Sequence, residues 1–126
     1  MGRYALRSTQ APPPAGPYSA GVSVGHLVFV SAQLPQGRRG EGLGGSAAEQ
    51  ARRALDNLGH QLRSTGLGLD SVAELRVYLV DPADLAAVDA VCAECFAEPR
   101  PARTVVGVAW LPQGARLQVE AVAVRY

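Results

Sequence analysis

Two strand-forming runs close this sequence, and each is rich in small apolar residues on both of its faces. Strand alternation over residues 115–124 puts Leu117, Val119, Ala121 and Ala123 on one side and Gln118, Glu120, Val122 and Val124 on the other. Over residues 103–110, Val105, Gly107 and Ala109 share a face with Arg103, while Val106 and Val108 point the other way. A sheet made of such strands needs cover on both sides. The rest of the chain supplies two helices, and two helices between strands suggest right-handed crossovers that place both on the same face. The other face is therefore expected to be buried by a second copy of the chain, which makes the protein a homo-oligomer.

The helices are legible from their ends. Ser46-Ala47-Ala48-Glu49 is a capping box, in which Ser46 and Glu49 satisfy each other's end of a helix start. Ala47, Ala51, Ala54, Leu55, Leu58 and Leu62 follow at helical spacing, and Gly66 is a stop. Asp81-Pro82 supplies an N-cap and a first-turn proline for a second helix, whose apolar stripe is Leu85, Val88, Val91, Cys92, Cys95 and Phe96. Before the first helix, residues 10–17 are too proline-rich for a helix or a central strand. Residues 18–24 and 26–32 form a hairpin around Gly25-His26. Residues 34–45 carry five glycines and a proline and read as a loop, a candidate mobile lid or rim. Residues 72–80 are a strand with Ala73, Leu75, Val77 and Leu79 on one face. The order is β-β-α-β-α-β-β, with room for a short strand at residues 3–7, and it reads as one α+β domain over residues 1–126.

Composition removes several chemistries. All twelve basic residues are arginine, so no lysine can form a Schiff base or serve a phosphate-binding loop. The formal net charge is +1, without the footprint of a nucleic-acid or anionic-membrane binder. The stretch Met1–Arg7 has no apolar signal core and no run approaches a membrane span, so a cytoplasmic protein is expected. Cys92 and Cys95 stand at redox-like spacing, but both fall on the apolar stripe, and His26 and His60 lie in distant segments; core packing is the favoured reading over a metal or redox site.

Two charged residues stand among apolar strand neighbours. Arg103 must find an anion or reach solvent; its planar fork suits a carboxylate, with about 1.5–3 kcal/mol from a charged hydrogen bond. On spacing alone a plain salt bridge is the favoured reading. Glu120 lies mid-strand between Val119 and Ala121, where partial desolvation suits proton transfer or the orienting of a water; a partner for an arginine is the alternative. Tyr18, Ser31 and Gln33 are polar residues near the ends of early strands.

The segments Ala11-Pro12, Gly16-Pro17-Tyr18-Ser19, Val28-Phe29-Val30-Ser31-Ala32-Gln33, Gln50 with Asn57-Leu58, Pro101-Ala102-Arg103-Thr104 and Val119-Glu120-Ala121-Val122-Ala123 resemble, in order and spacing, the signature blocks of the RidA/YjgF family of reactive-intermediate deaminases. The resemblance runs from about residue 10 to the end. It implies a chorismate-mutase-like α+β domain, a homotrimer with clefts between subunits, and hydrolysis of 2-aminoacrylate-like enamines or imines to 2-keto acids and ammonia without a metal or organic cofactor. It further implies that Arg103 binds the substrate carboxylate, that Glu120 orients the attacking water, and that Tyr18 and Ser31 line the cleft from opposite sides of a subunit interface, with Gln33 chiefly structural. The sequence departs from the family at Val105, where a cysteine is common, at Asp89, where an asparagine is common, at Ala32, and in a short segment from Phe96 to Pro101. Val105 and Asp89 are thus candidate substrate-binding positions at which specificity shifts. A binding protein using the same cleft without turnover is the alternative. A ribonuclease or translation inhibitor, an activity also attributed to some relatives, ranks last, for want of a basic groove, a stacking platform or a histidine pair.

Overall fold

In a computed structural model the chain forms a mixed sheet with two helices, described for residues 2–126; Met1, the first residue of the N-terminal stretch read above, lies outside them. The strands are β1 (Tyr4–Ala5), β2 (Gly21–Val24), β3 (Leu27–Gln33), β4 (Val72–Leu79), β5 (Ala102–Gly107) and β6 (Leu117–Val124), and the helices are α1 (Ala47–Arg63) and α2 (Leu85–Cys95). Spatial order is β1-β2-β3-β6-β4-β5, with β4 and β5 parallel and every other neighbouring pair antiparallel. The final strand is therefore threaded into the middle of the sheet. The α1 and α2 segments are the two crossovers, from β3 to β4 and from β4 to β5.

Burial follows the alternation of β6. Leu117, Val119, Ala121 and Ala123 are buried, while Gln118, Glu120, Val122 and Val124 are only partly covered. The buried set packs with Val28, Val30, Leu75, Val77 and Leu79 of the sheet, with Leu55, Leu58 and Leu62 of α1, and with Val88, Val91 and Cys92 of α2. Fully burying a Leu or Val side chain contributes about 1.5–3 kcal/mol, and this one layer is the core. On the opposite face Leu27 and Phe29 remain about two-fifths exposed, at 42% and 41%.

Several boundaries differ from the sequence reading, each for a local reason. Tyr18–Ala20 does not join β2, because Tyr18 N–H donates to Gly16 O at 2.8 Å and closes a tight turn. Ala73 is exposed rather than inward-facing, since a bulge between Val72 and Glu74 shifts the alternation and hands its place to Val72. β5 stops at Gly107, where its partner β4 ends at Leu79. β6 starts at Leu117, because a 3₁₀ turn over Pro112–Gly114, with Gln113 at φ 59°, holds the chain out of the sheet. A second 3₁₀ turn, Pro82–Asp84, is capped by Asp81 and leads into α2.

The capping box forms as read, Glu49 N–H donating to Ser46 Oγ and Ser46 N–H to Glu49 Oε1. The loop at residues 34–45 is a tied rim rather than a free lid. Buried Asn57 donates Nδ2 to Leu34 O and Gln36 O at 3.0 and 2.9 Å, Arg53 Nε reaches Gln36 O, and Gln113 Nε2 reaches Gly40 O. Gln50 donates to Gly45 O and accepts from Arg116 N–H, which joins the loop's end to the start of β6.

Two substitutions test this account. Leu58→Ala removes a fully buried side chain and is expected to cost about 2–5 kcal/mol. Ser46→Ala removes only the cap and is expected to cost about 0.5–2 kcal/mol. Denaturant unfolding at matched protein concentration measures both, and an equal loss in the two variants would contradict the layering described.

Candidate functional site

The candidate residues fall into two groups on opposite faces of the sheet. The first group lies on the helix-covered face at the β5 edge. Arg103 is in register with Leu75 of the neighbouring strand, so its side chain starts toward the helices. It does not end in the core: its Nη1–H donates to Asp89 Oδ1 on α2, forming a salt bridge. Leu75, Asp89, Cys92, Phe96, Arg100 and Arg103 line a cavity of about 360 Å³. Hydrogen bonding to Asp89 pushes the Arg103 guanidinium further up, against the opposing pull of burial. Burial pushes the Cys92 thiol up, with Arg103 pulling the other way. Arg100 lines the same cavity, and its Nη1 is engaged by Glu98.

Val105 is placed differently. It pairs in register with Val77 and packs against the core, and it is not among the residues lining the Arg103 cavity.

The second group lies on the open face. Glu120 stands in the middle of β6, directly across from Arg76 of β4. Tyr78 Oη–H donates to Glu120 Oε1. Arg76 Nη1 approaches the same oxygen at 3.9 Å, while its Nε lies 3.1 Å from Glu74. The hydrogen bond to Glu120 is the main reason the Tyr78 phenol is held above its ordinary range, so it remains a proton donor. Tyr18, Ser31, Phe29, Val22, Arg3 and Glu120 line a shallow cavity of about 410 Å³. Ser31 is fixed at both ends, its hydroxyl donating to Ser19 O at 2.7 Å and its N–H to Ala20 O at 2.9 Å.

Gln33 sits behind this group. It is buried, donates to Ser31 O at 3.0 Å and accepts from Gln61 at 3.5 Å. The structure thus joins Arg103 to Asp89, and Tyr18 and Ser31 to Glu120. It does not bring Arg103 and Glu120 together within one chain; Val105 packs against the core, and Gln33, buried behind Ser31, lines a neighbouring cavity with Tyr18.

Sequence reasoning passed over Tyr78, Arg76 and the place of Cys92 beside Arg103. Alternation in β4 does put Glu74, Arg76 and Tyr78 on one side, a polar stripe that a strand-by-strand reading could have set against Glu120. Cys92 is both a core residue and part of the Arg103 cavity wall. Among the described residues no group of three His, Cys, Asp or Glu is placed to hold a metal ion, and no helix is long and apolar enough to cross a membrane.

Compared with known families, residues 8–125 match the model described as endoribonuclease L-PSP. The chain belongs to this family, the RidA/YjgF proteins. Among RidA/YjgF relatives, the 2-iminobutanoate/2-iminopropanoate deaminase of Mus musculus is 35% identical over 124 residues, covering 98% of this chain and 92% of the mouse protein. A RutC family protein of Pyrococcus abyssi is 36% identical over 124 residues, covering 98% of each chain. The crystal structure of Escherichia coli TdcF with bound serine superposes with a TM-score of 0.91 at 31% identity, covering 98% of this chain and 99% of that one. The RidA/YjgF fold expected above is therefore the fold observed.

The Tyr78–Glu120 contact has a spectroscopic consequence. In an ultraviolet titration, Glu120→Gln is expected to bring the Tyr78 ionisation down toward the ordinary tyrosine range, with Tyr78→Phe identifying which transition is its own. An unchanged transition would show that Glu120 is not the cause of the shift.

Proposed function

We propose that this protein hydrolyses 2-imino acids and their enamine tautomers to 2-keto acids and ammonia, in clefts where Arg103 of one copy meets the open face of a second copy within a homotrimer. The division of the candidate residues carries this reading. One chain presents a candidate carboxylate anchor at a sheet edge and a candidate water-orienting carboxylate on the open face, two halves of a site that only a second chain can unite. The name of the mouse relative supports the reaction, and a serine in the Escherichia coli structure supports a small carboxylate as ligand.

In this reading the Arg103 fork holds the substrate carboxylate. Tyr78 ties down one oxygen of Glu120, leaving the other to orient a water. Water oxygen bonds to C2 of the protonated imine as the C=N π pair moves to nitrogen, and a proton passes from that oxygen to the nitrogen; the C–N bond then breaks with its electron pair going to the departing ammonia, which takes up the remaining proton of the C2 hydroxyl as ammonium and leaves the 2-keto acid. No electrons change hands overall. Because a protonated imine is already electrophilic, anchoring, water placement and relay of the water's protons from oxygen to nitrogen are sufficient. A second reading, binding of a small carboxylate without turnover, is favoured by one observation: Asp89 already holds Arg103.

Adding the protein to a serine or threonine dehydratase reaction is expected to speed keto-acid formation. Arg103→Ala is expected to lose at least about tenfold in kcat/KM, the scale of one charged hydrogen bond. Binding of 2-oxobutanoate by calorimetry without any rate effect would favour the second reading, and neither effect would refute both. Sedimentation is expected to give three chains per particle, and Phe29→Asp on the open face to break the particle down; a wild-type monomer would remove the cleft.

A further inference from the structure

The Asp89–Arg103 pair changes what the anchor can accept. A guanidinium has five N–H donors. Nη1 of Arg103 is given to Asp89 Oδ1, and among the described residues no hydrogen bond reaches Asp89 Oδ2. Asp89 is about half exposed at the cavity mouth, with a side-chain exposure of 49%, and Arg103 is more covered at 31%. The second arginine of the wall, Arg100, is itself engaged by Glu98. The cavity therefore presents a cation with free donors beside an anion with a free acceptor, close to neutral overall.

A plain carboxylate fits half of this arrangement. It gains the free edge of Arg103 but must share the guanidinium with Asp89, and the two anions repel. A dipolar ligand fits all of it: its carboxylate takes Arg103, and a cationic N–H one carbon away donates to Asp89 Oδ2.

We infer that Asp89 is a specificity residue that selects ligands carrying a positively charged nitrogen next to the carboxylate, so that the preferred substrate form is the protonated iminium acid. This rests on the proposed role of Arg103 as carboxylate anchor. The neutral-nitrogen enamine and the free keto acid lack the cation, and bind less well. Hydrolysis removes the nitrogen that Asp89 holds, so the product keto acid is left with a shared arginine and a repelling neighbour, which favours its release.

Calorimetry on the assembled protein with two ligands of equal size tests this, 2-aminobutanoate as the dipolar probe and 2-oxobutanoate as the plain anion. Wild type is expected to prefer 2-aminobutanoate by about tenfold, about 1.4 kcal/mol. Asp89→Asn, which keeps the side chain's shape, is expected to weaken 2-aminobutanoate, tighten 2-oxobutanoate and erase the preference. Asp89→Ala, with its assembly state checked, gives the same comparison should the asparagine disturb α2. Equal changes for the two ligands in both variants, or a wild type that prefers the keto acid, would overturn the inference while leaving Arg103 as anchor. Arg103→Ala is expected to lose both ligands; retention of both would instead refute the anchor and with it the proposed site.

Discussion

The burial of one face of β6 is the constraint from which the rest of this molecule follows. The strand is last in sequence but central in space, flanked by β3 and β4. Its inward side chains shrink along the strand, from Leu117 and Val119 to Ala121 and Ala123, and pack in one cluster with Leu55, Leu58 and Leu62 of α1. The same strand carries Glu120 between these inward positions. Each residue that anchors the core thus fixes, one step along, the direction of a residue on the open face. Glu120 is held in place by the packing behind it as well as by Tyr78.

The two faces use charge in different ways. On the open face a carboxylate is gathered by a phenol and loosely by an arginine, all from the two strands β4 and β6. Between β5 and α2 an arginine that starts from an inward strand position is met by an aspartate from the helix. The first arrangement rests on the sheet alone. The second needs α2 to be docked correctly, and that docking depends on Val88, Val91 and Cys92 reaching the core. The geometry of Arg103 is thereby tied to the packing of a helix, whereas that of Glu120 is tied to strand register.

Much of this was legible in advance because periodicity and capping are local. The capping box at Ser46, the stripe of α2 and the alternation of β6 each needed only a few neighbouring residues. What was not legible depends on partners distant in sequence. The bulge at Ala73 exists because β4 must stay in register with β6, and β5 ends where β4 ends. The loop at residues 34–45 has the glycine content of a mobile segment, yet Asn57, Arg53 and Gln113 hold its carbonyls from helix and turn. The candidate residues were legible one by one, but which of them meet within a chain was not. Arg103 and Asp89 are fourteen positions apart and meet; Arg103 and Glu120 are on successive strands in sequence, yet β4 lies between them and the sheet puts them back to back.

That back-to-back placement has a genetic reading. If a working cleft takes its arginine from one copy and its glutamate from another, damage at either residue spoils a different half of the cleft. Two chains that are each inactive, one altered at Arg103 and the other at Glu120, would rebuild some intact clefts when they assemble together. Two chains altered at the same residue would not. With clefts shared in this way, the sheet that separates the pair within a polypeptide would make its defects shareable between polypeptides, and two faulty copies of the gene would rescue each other where neither sustains activity alone.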